Sequence, residues 1–287
     1  MMKRIVKPLK NLIKRILFRQ KITQAKIVSL APNQLLEGRT ALITGGTSGI
    51  GKSIAISFLN AGANVVITGR NQTKVDTVCE EIMKTYPGCN LWGVEMDNKN
   101  ISTLKETFDK ILRIIGPNEI SILVNNAGVN GGDFTNCTEK EWDKVMDTNM
   151  KGPFFLTNIV ANYMVNHQIK GNILNVASSS SLRPGTTAYT LSKWGMRGFT
   201  VGLAKILIDN GIVVNGIAPG PTDTPMLKSP KDKNISLPNN PSGRFVMPEE
   251  VGNLAVFLTS DMGRMIIGDI VYITGGAGTI TVDDISY

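Results

Sequence analysis

An α/β protein with a parallel sheet covered on both faces is what this sequence predicts, and two observations predict it. From Gly38 onward short apolar runs alternate with stretches of helical length. The first apolar run is followed at once by Gly45-Gly46-Thr47-Ser48-Gly49-Ile50-Gly51, a turn that opens into a helix. Strand–helix alternation of this kind requires right-handed crossovers, which lay helices over both faces of a parallel sheet. Taken in order, Thr40–Thr44 reads as a strand, Lys52–Ala61 as a helix, Val65–Thr68 as a strand, and the chain up to about Met83 as a helix. Leu91–Met96 is a strand, Ile101–Ile115 a helix and Ile120–Val124 a fourth strand. Helices are expected from about Glu139 to Asp147 and from Gly152 to His167, then a strand at Ile173–Ala177. The helix carrying Tyr189 runs to about Asp209, Ile212–Ile217 is a sixth strand, Pro248–Ser260 a helix and Val271–Thr274 the last strand. No internal repeat interrupts the pattern, so a single domain is expected over 36–287.

Composition narrows the function. With 287 residues and 42% hydrophobic side chains the chain can bury one substantial core. Cys79, Cys89 and Cys137 form no C-x-x-C pair and His167 is the sole histidine. This leaves no metal framework, fits a reducing, cytoplasmic compartment, and makes a Ser-His-Asp triad improbable. The net charge of +8 hints at nucleic acid until it is located. Residues 1–26 hold nine basic side chains and no acid, whereas the remainder has 22 basic against 23 acidic residues. The body is neutral, and no basic stripe asks for a nucleic-acid partner.

Two stretches carry chemistry. Gly45, Gly49 and Gly51 sit between a strand and a helix, where backbone N–H groups and the positive helix end can converge on a phosphate that side chains would block. In Tyr189-Thr190-Leu191-Ser192-Lys193 the phenol and the amine lie one helical turn apart. An ordinary tyrosine, with a pKa of roughly 10, is a poor proton donor at neutral pH. A lysine cation within about 4–6 Å favours the phenolate and brings proton exchange with a hydroxyl or carbonyl within reach. Alone, such a pair on a surface helix is usually a solvated face.

Thr44-Gly45-x-x-x-Gly49-x-Gly51, Asn125-Asn126-Ala127-Gly128, Asn149, a Ser-rich segment, Tyr189-x-x-x-Lys193 and Pro219-Gly220-x-x-x-Thr224 occur in one chain, in order. Together they resemble the short-chain dehydrogenase/reductase family over nearly everything after residue 36. The resemblance implies a doubly wound Rossmann-type sheet of about seven parallel strands. It also implies NAD(H) or NADP(H) as cofactor, hydride transfer at a carbonyl/alcohol carbon of a small molecule, and a homodimer or homotetramer. Carried onto this sequence, Tyr189 is the general acid or base, Lys193 tunes it and holds the nicotinamide ribose, and Ser178 orients the substrate oxygen. Asn149, at a helix irregularity, supports a water linking Lys193 to solvent. Thr47, Ser48, Gly49, Ile50 and Gly51 follow Gly45 in the phosphate turn. Asp97 resembles the adenine-binding acid, and Asn125, Ala127 and Gly128 form the cofactor wall. Pro219, Gly220, Thr222 and Thr224 bracket the nicotinamide amide. The competing class is a cofactor-binding regulator or scaffold without turnover, against which the intact Asn149, Ser178, Tyr189 and Lys193 set argues.

Three features depart from the family pattern or extend it. Ser178 lies eleven residues before Tyr189, one or two fewer than usual, so a shortened loop is expected and Ser179, Ser180 and Ser181 remain alternative hydroxyls. At the end of the second strand the acid expected of an NAD enzyme is replaced by Gly69, with Arg70 next to it. That favours NADP(H) over NAD(H), because a carboxylate there would repel a 2′-phosphate. Met226–Val246, with Lys228, Lys231, Lys233 and several prolines, resembles a mobile lid over the substrate.

In the first 26 residues Ile5, Val6, Leu9, Leu12, Ile13, Ile16 and Leu17 segregate from the basic residues. The longest apolar run, Ile16–Phe18, is too short for a signal-peptide core or a membrane span. The segment is expected to be a basic amphipathic helix that contacts an anionic membrane face; docking on the body or a sister subunit, or a mitochondrial-type presequence lacking serine, are the alternatives.

Overall fold

The computed structural model describes residues 34–227 and 234–280. The expectations for residues 1–26 and for Lys228, Lys231 and Lys233 lie outside the described residues. Seven strands make one parallel sheet in the order β3-β2-β1-β4-β5-β6-β7. They are β1 (Thr40–Ile43), β2 (Asn64–Gly69), β3 (Leu91–Glu95), β4 (Ile120–Asn125), β5 (Asn172–Val176), β6 (Val213–Pro219) and β7 (Ile270–Ile273). The helices between them are α1 (Gly49–Asn60), α2 (Gln72–Thr85), α3 (Ile101–Ile115), α4 (Glu139–Met146), α5 (Gly152–Asn166), α6 (Ala188–Leu207) and α7 (Pro248–Thr259).

Period-two alternation persists although both faces are buried. Ala41 and Ile43 of β1 join Ile54 and Phe58 of α1, Val75 and Ile82 of α2, and Val251 and Ala255 of α7. Leu42, between them in sequence, joins Leu104 and Phe108 of α3, Leu156 and Val160 of α5, and Ala204 of α6. Each face therefore has its own apolar layer, which is why the strands read as continuous apolar runs. The strand order reverses direction between β1 and β4, and the carboxyl ends of those strands open the crevice where ligands bind in such sheets.

Helix starts differ from the sequence expectation at one informative place. The first helix begins at Gly49 rather than Lys52, so the glycine turn itself forms the helix's first turn. Between α4 and α5 the chain does not break: Asp147–Lys151 forms a π-turn that joins them. Pro153 has no N–H, so the carbonyl of Asn149, four residues back, cannot receive the usual helical bond from it.

Candidate active site

A cleft of about 900 Å³ runs across the carboxyl ends of the strands. Gly45, Thr47, Ser48, Gly49, Ile50 and Gly51 line one end of it. Gly45 has φ +65° and a Cβ there would stand 2.9 Å from Ala127 Cα, so the turn needs glycine twice over. Asn126 braces the turn: its Nδ2 donates to the carbonyls of Thr44 (2.9 Å) and Gly45 (3.1 Å). Helices α2, α4 and α6 have side-chain N-caps, from Asn71, Thr138 and Thr187. Helix α1 has none, and no acid in its first turn. Its unsatisfied N–H groups and positive end therefore face the cleft, which fits a phosphate-bearing dinucleotide.

At the end of β2 the cleft wall is Gly69, Arg70 and Lys74. A Cβ on Gly69 would meet Thr47 Cγ2 at 2.9 Å and Val75 Cγ2 at 3.1 Å, so the place of an acidic side chain is already filled by Thr47. Lys74, one turn into α2, is a second cation that the sequence pattern did not single out. Asp97 lies beside these residues, just after the neighbouring β3, where Met96 N donates to Gly69 O at 2.9 Å; Ala127, Gly128, Pro219, Gly220, Thr222 and Thr224 also line the cleft. Asn125 is not brought to the wall. It is 2% exposed, and its Nδ2 donates to Thr157 Oγ1 (2.8 Å) and Asn175 Oδ1 (2.9 Å), while Asn175 donates on to Thr200 Oγ1. The expected cofactor-wall residue is a buried polar brace between β4, β5 and helices α5 and α6. Ile120–Asn125 is buried at every position, so Asn125 Nδ2 finds its acceptors in the interior, while its Oδ1 is buried with no hydrogen-bond partner among the described residues.

The middle of the cleft gathers Ser178, Tyr189 and Lys193. Thr187 starts α6 by accepting from Thr190 N at 3.0 Å, and Tyr189 N donates to Gly131 O at 3.3 Å, which ties the helix start to the loop after β4. Lys193 is 5% exposed, donates to Val176 O at 2.8 Å, and its Nζ lies 5.7 Å from the centre of the Tyr189 ring. Burial pulls its pKa down to about 8. Asn149 is also away from the cleft surface. Its side chain exchanges two 2.9 Å bonds with the Val129 backbone and donates to Ser192 Oγ at 3.0 Å, and Ser192 donates to Tyr189 O at 2.6 Å. Ser192 thus couples the π-turn to the tyrosine, a role hidden in the sequence because the x positions of Y-x-x-x-K carry no pattern of their own.

Between Ser178 and Tyr189 the chain forms a 3₁₀ turn, Ser179–Leu182. Ser178 Oγ accepts from Ser180 N at 3.1 Å, which leaves its hydroxyl proton to be donated into the cleft. Ser179 and Ser180 also line the wall, whereas Ser181 is turned inward and donates to Ser178 O at 2.7 Å.

A family model described as short chain dehydrogenase matches residues 39–235. The 3-oxoacyl-(acyl-carrier-protein) reductase FabG of Aquifex aeolicus is 35% identical over 246 residues, 84% of this chain and 98% of that protein. Glucose 1-dehydrogenase 2 of Bacillus subtilis is 32% identical over 84% of this chain and 95% of its own. Among solved structures, a gluconate 5-dehydrogenase of Burkholderia cenocepacia in complex with NADP and tartrate superposes with a TM-score of 0.79 at 29% identity. That match covers 88% of this chain and 100% of the other.

Proposed function

From the premise that this chain belongs to the short-chain dehydrogenase/reductase family, and so is an oxidoreductase of CH–OH/C=O groups with NAD(P), we propose an NADP(H)-dependent enzyme with Tyr189 as general acid/base. The observation that carries the chemistry is the buried Lys193 ammonium placed 5.7 Å from the Tyr189 ring. When bound, the nicotinamide supplies or accepts the hydride.

The protein's own side chains manage the proton and the oxygen. Tyr189 donates its phenol proton to the carbonyl oxygen in reduction and takes it back in oxidation. Ser178, with its acceptor side engaged by Ser180 N, donates to that same oxygen and stabilises the negative charge that grows on it. Lys193 is mostly cationic at neutral pH and favours the phenolate. The Asn149 carbonyl, denied its helical donor by Pro153, is an acceptor for a water that refills the proton through Lys193. The Asn149 side chain and Ser192 hold that carbonyl and Tyr189 in fixed relation.

Preference for NADP(H) rests on Arg70 and Lys74 beside a position where Gly69 and Thr47 leave no room for an acid. A guanidinium or ammonium donating to a 2′-phosphate pairs with an ionised acceptor, which the neutral ribose hydroxyl does not offer. Titration with NADPH and NADH, watched by nicotinamide fluorescence, tests this. Equal affinity for the two would refute the preference.

By their names the relatives act on 3-oxoacyl-(acyl-carrier-protein), glucose and gluconate. For this chain we infer a small carbonyl or alcohol substrate, a homodimeric or homotetrameric assembly, and a cytoplasmic location. Residues 1–26 are inferred to contact anionic membrane surfaces, because nine basic residues and no acid accompany an aliphatic stripe.

A further inference from the structure

Before α7 the chain from Asn234 to Val246 folds back on itself. Leu237 N donates to Gly243 O and Phe245 N to Ile235 O, each at 2.9 Å, which pairs Ser236 antiparallel with Arg244. Side chains alternate across such a pairing, so Ser236 and Arg244 fall on one face and Ile235, Leu237 and Phe245 on the other. The polar face is anchored away from the cleft: Arg244 donates to both Glu250 carboxylate oxygens, at 2.9 and 2.7 Å, in the first turn of α7. From the apolar face Leu237 and Phe245 line the cleft. Met226 and Leu227 line it too, in a turn where Leu227 N donates to Thr224 O at 3.0 Å, and each is 52% exposed.

This hairpin is tied down at both ends. At its base Val246 N donates to Pro221 O and Val246 O accepts from Asp223 N, which joins it to the loop after β6. At its tip Asn240 Nδ2 donates to Thr274 O at 3.0 Å, and Ser242 N donates to Gly275 O. The same loop after β7 packs Gly278 against Arg183, the residue that ends the 3₁₀ turn begun at Ser178. The apolar face is thereby set at the Ser178 end of the cleft. Apolar side chains on a concave surface leave water when a ligand covers them, and each methylene laid on them adds to binding. A polyhydroxylated ligand gains nothing there, because its hydroxyls would leave water without new partners.

We propose that the substrate carries an apolar group of several carbons, which lies on Met226, Leu227, Leu237 and Phe245 while its oxygen meets Ser178 and Tyr189. The enzyme then selects alkyl ketones and alcohols over sugars. The inference rests on the Tyr189 site being the reacting centre. The rival occupant of this face is the cofactor, since a Cβ on Gly49 in the phosphate turn would stand 3.2 Å from Thr224 Cγ2.

The test follows NADPH oxidation with methyl ethyl, methyl propyl, methyl butyl and methyl pentyl ketone, beside dihydroxyacetone and fructose. In the wild type kcat/KM should rise by about threefold per added methylene. Leu227→Asn combined with Leu237→Asn should lose more with each added carbon, leaving a rise below about 1.5-fold per methylene. Leu237→Met, which stays apolar at similar volume, should keep the wild-type rise. The NADPH dissociation constant of each variant is measured alongside. A flat or falling series in the wild type overturns the proposal. So does an asparagine pair that weakens NADPH but keeps the rise, which would give the face to the cofactor. Should the pair fail to fold, the wild-type series and Leu227→Asn alone decide. Preference for dihydroxyacetone or fructose overturns this proposal and leaves the oxidoreductase standing. No turnover of any compound sinks both.

Discussion

At the end of the cleft that the proposed function gives to the adenosine, the wall is mostly backbone. Gly45, Gly49 and Gly51 bring N–H groups of an uncapped helix to the surface, and Asn126 holds them there. At the other end, which the proposed function gives to the substrate, the wall is side chains: Ser178, Tyr189 and Lys193, brought from the loop after β5 and from α6. Backbone geometry is dictated locally by a few glycines, so it tolerates change around it. A side-chain constellation depends on packing from several elements, and each member acts through its neighbours. Substitutions at the two ends should accordingly fail in different ways.

The largest effect is expected at the substrate end. Tyr189→Phe should lower kcat by about a thousandfold, the scale of general acid–base catalysis, while the NADPH dissociation constant changes by less than about threefold. Residual turnover above a few per cent would remove Tyr189 from its role and erase the division between the two ends.

Lys193→Met should lose turnover and weaken NADPH binding, yet stabilise the cofactor-free protein. Because burial lowers the folded-state pKa of Lys193 to about 8, the unfolded chain binds the proton more tightly. Below pH 8 that difference opposes folding, and it fades as pH rises from about 8 towards the ordinary lysine range. At pH 7 removing the charge should therefore add on the order of 2 kcal/mol of stability, checked by urea denaturation at pH 7 and pH 9.5, with the smaller gain at the higher pH. For the wild type, kcat/KM for reduction should fall as pH rises through about 8, as Lys193 loses its proton. A flat profile there, or a destabilised Lys193→Met, would count against a buried cation that serves activity at the expense of stability.

At the adenosine end, Arg70→Ala combined with Lys74→Ala should weaken NADPH by about tenfold to a hundredfold and leave NADH nearly unchanged. Gly69→Asp alone should not convert the enzyme to NADH, because its Cβ would strike Thr47 Cγ2 at 2.9 Å. Pairing it with Thr47→Gly should. An NADH preference from Gly69→Asp alone would show that the turn yields more readily than glycine geometry implies.

The smallest effect separates scaffold from chemistry. Thr187→Ala removes the cap of α6 and should cost about 1 kcal/mol in thermal or chemical denaturation. A much larger loss of kcat than of stability would mean that the helix start positions Tyr189 as well as beginning the helix.

Much of this was legible in the sequence because its causes are local. A glycine with positive φ, a proline without an N–H and an alternating apolar run each act on their own few residues. The strands, the phosphate turn and the Tyr189–Lys193 spacing followed from them. Thr187 carried a readable signal too, a hydroxyl residue just before a helix, though the Y-x-x-x-K spacing drew attention past it. What only the tertiary structure decided are the contacts between elements far apart in the chain. Asn125 looked like a cofactor residue by its motif, but its amide turned to Thr157 and Asn175 because a strand buried along its length offers no solvent to satisfy it. Asn149 reached Ser192, Thr47 came to occupy the space beside Gly69, and Gly278 packed against Arg183. Such pairings depend on where separate strands and helices end in space, which is set by the packing of two apolar layers around the sheet and not by any short stretch of sequence.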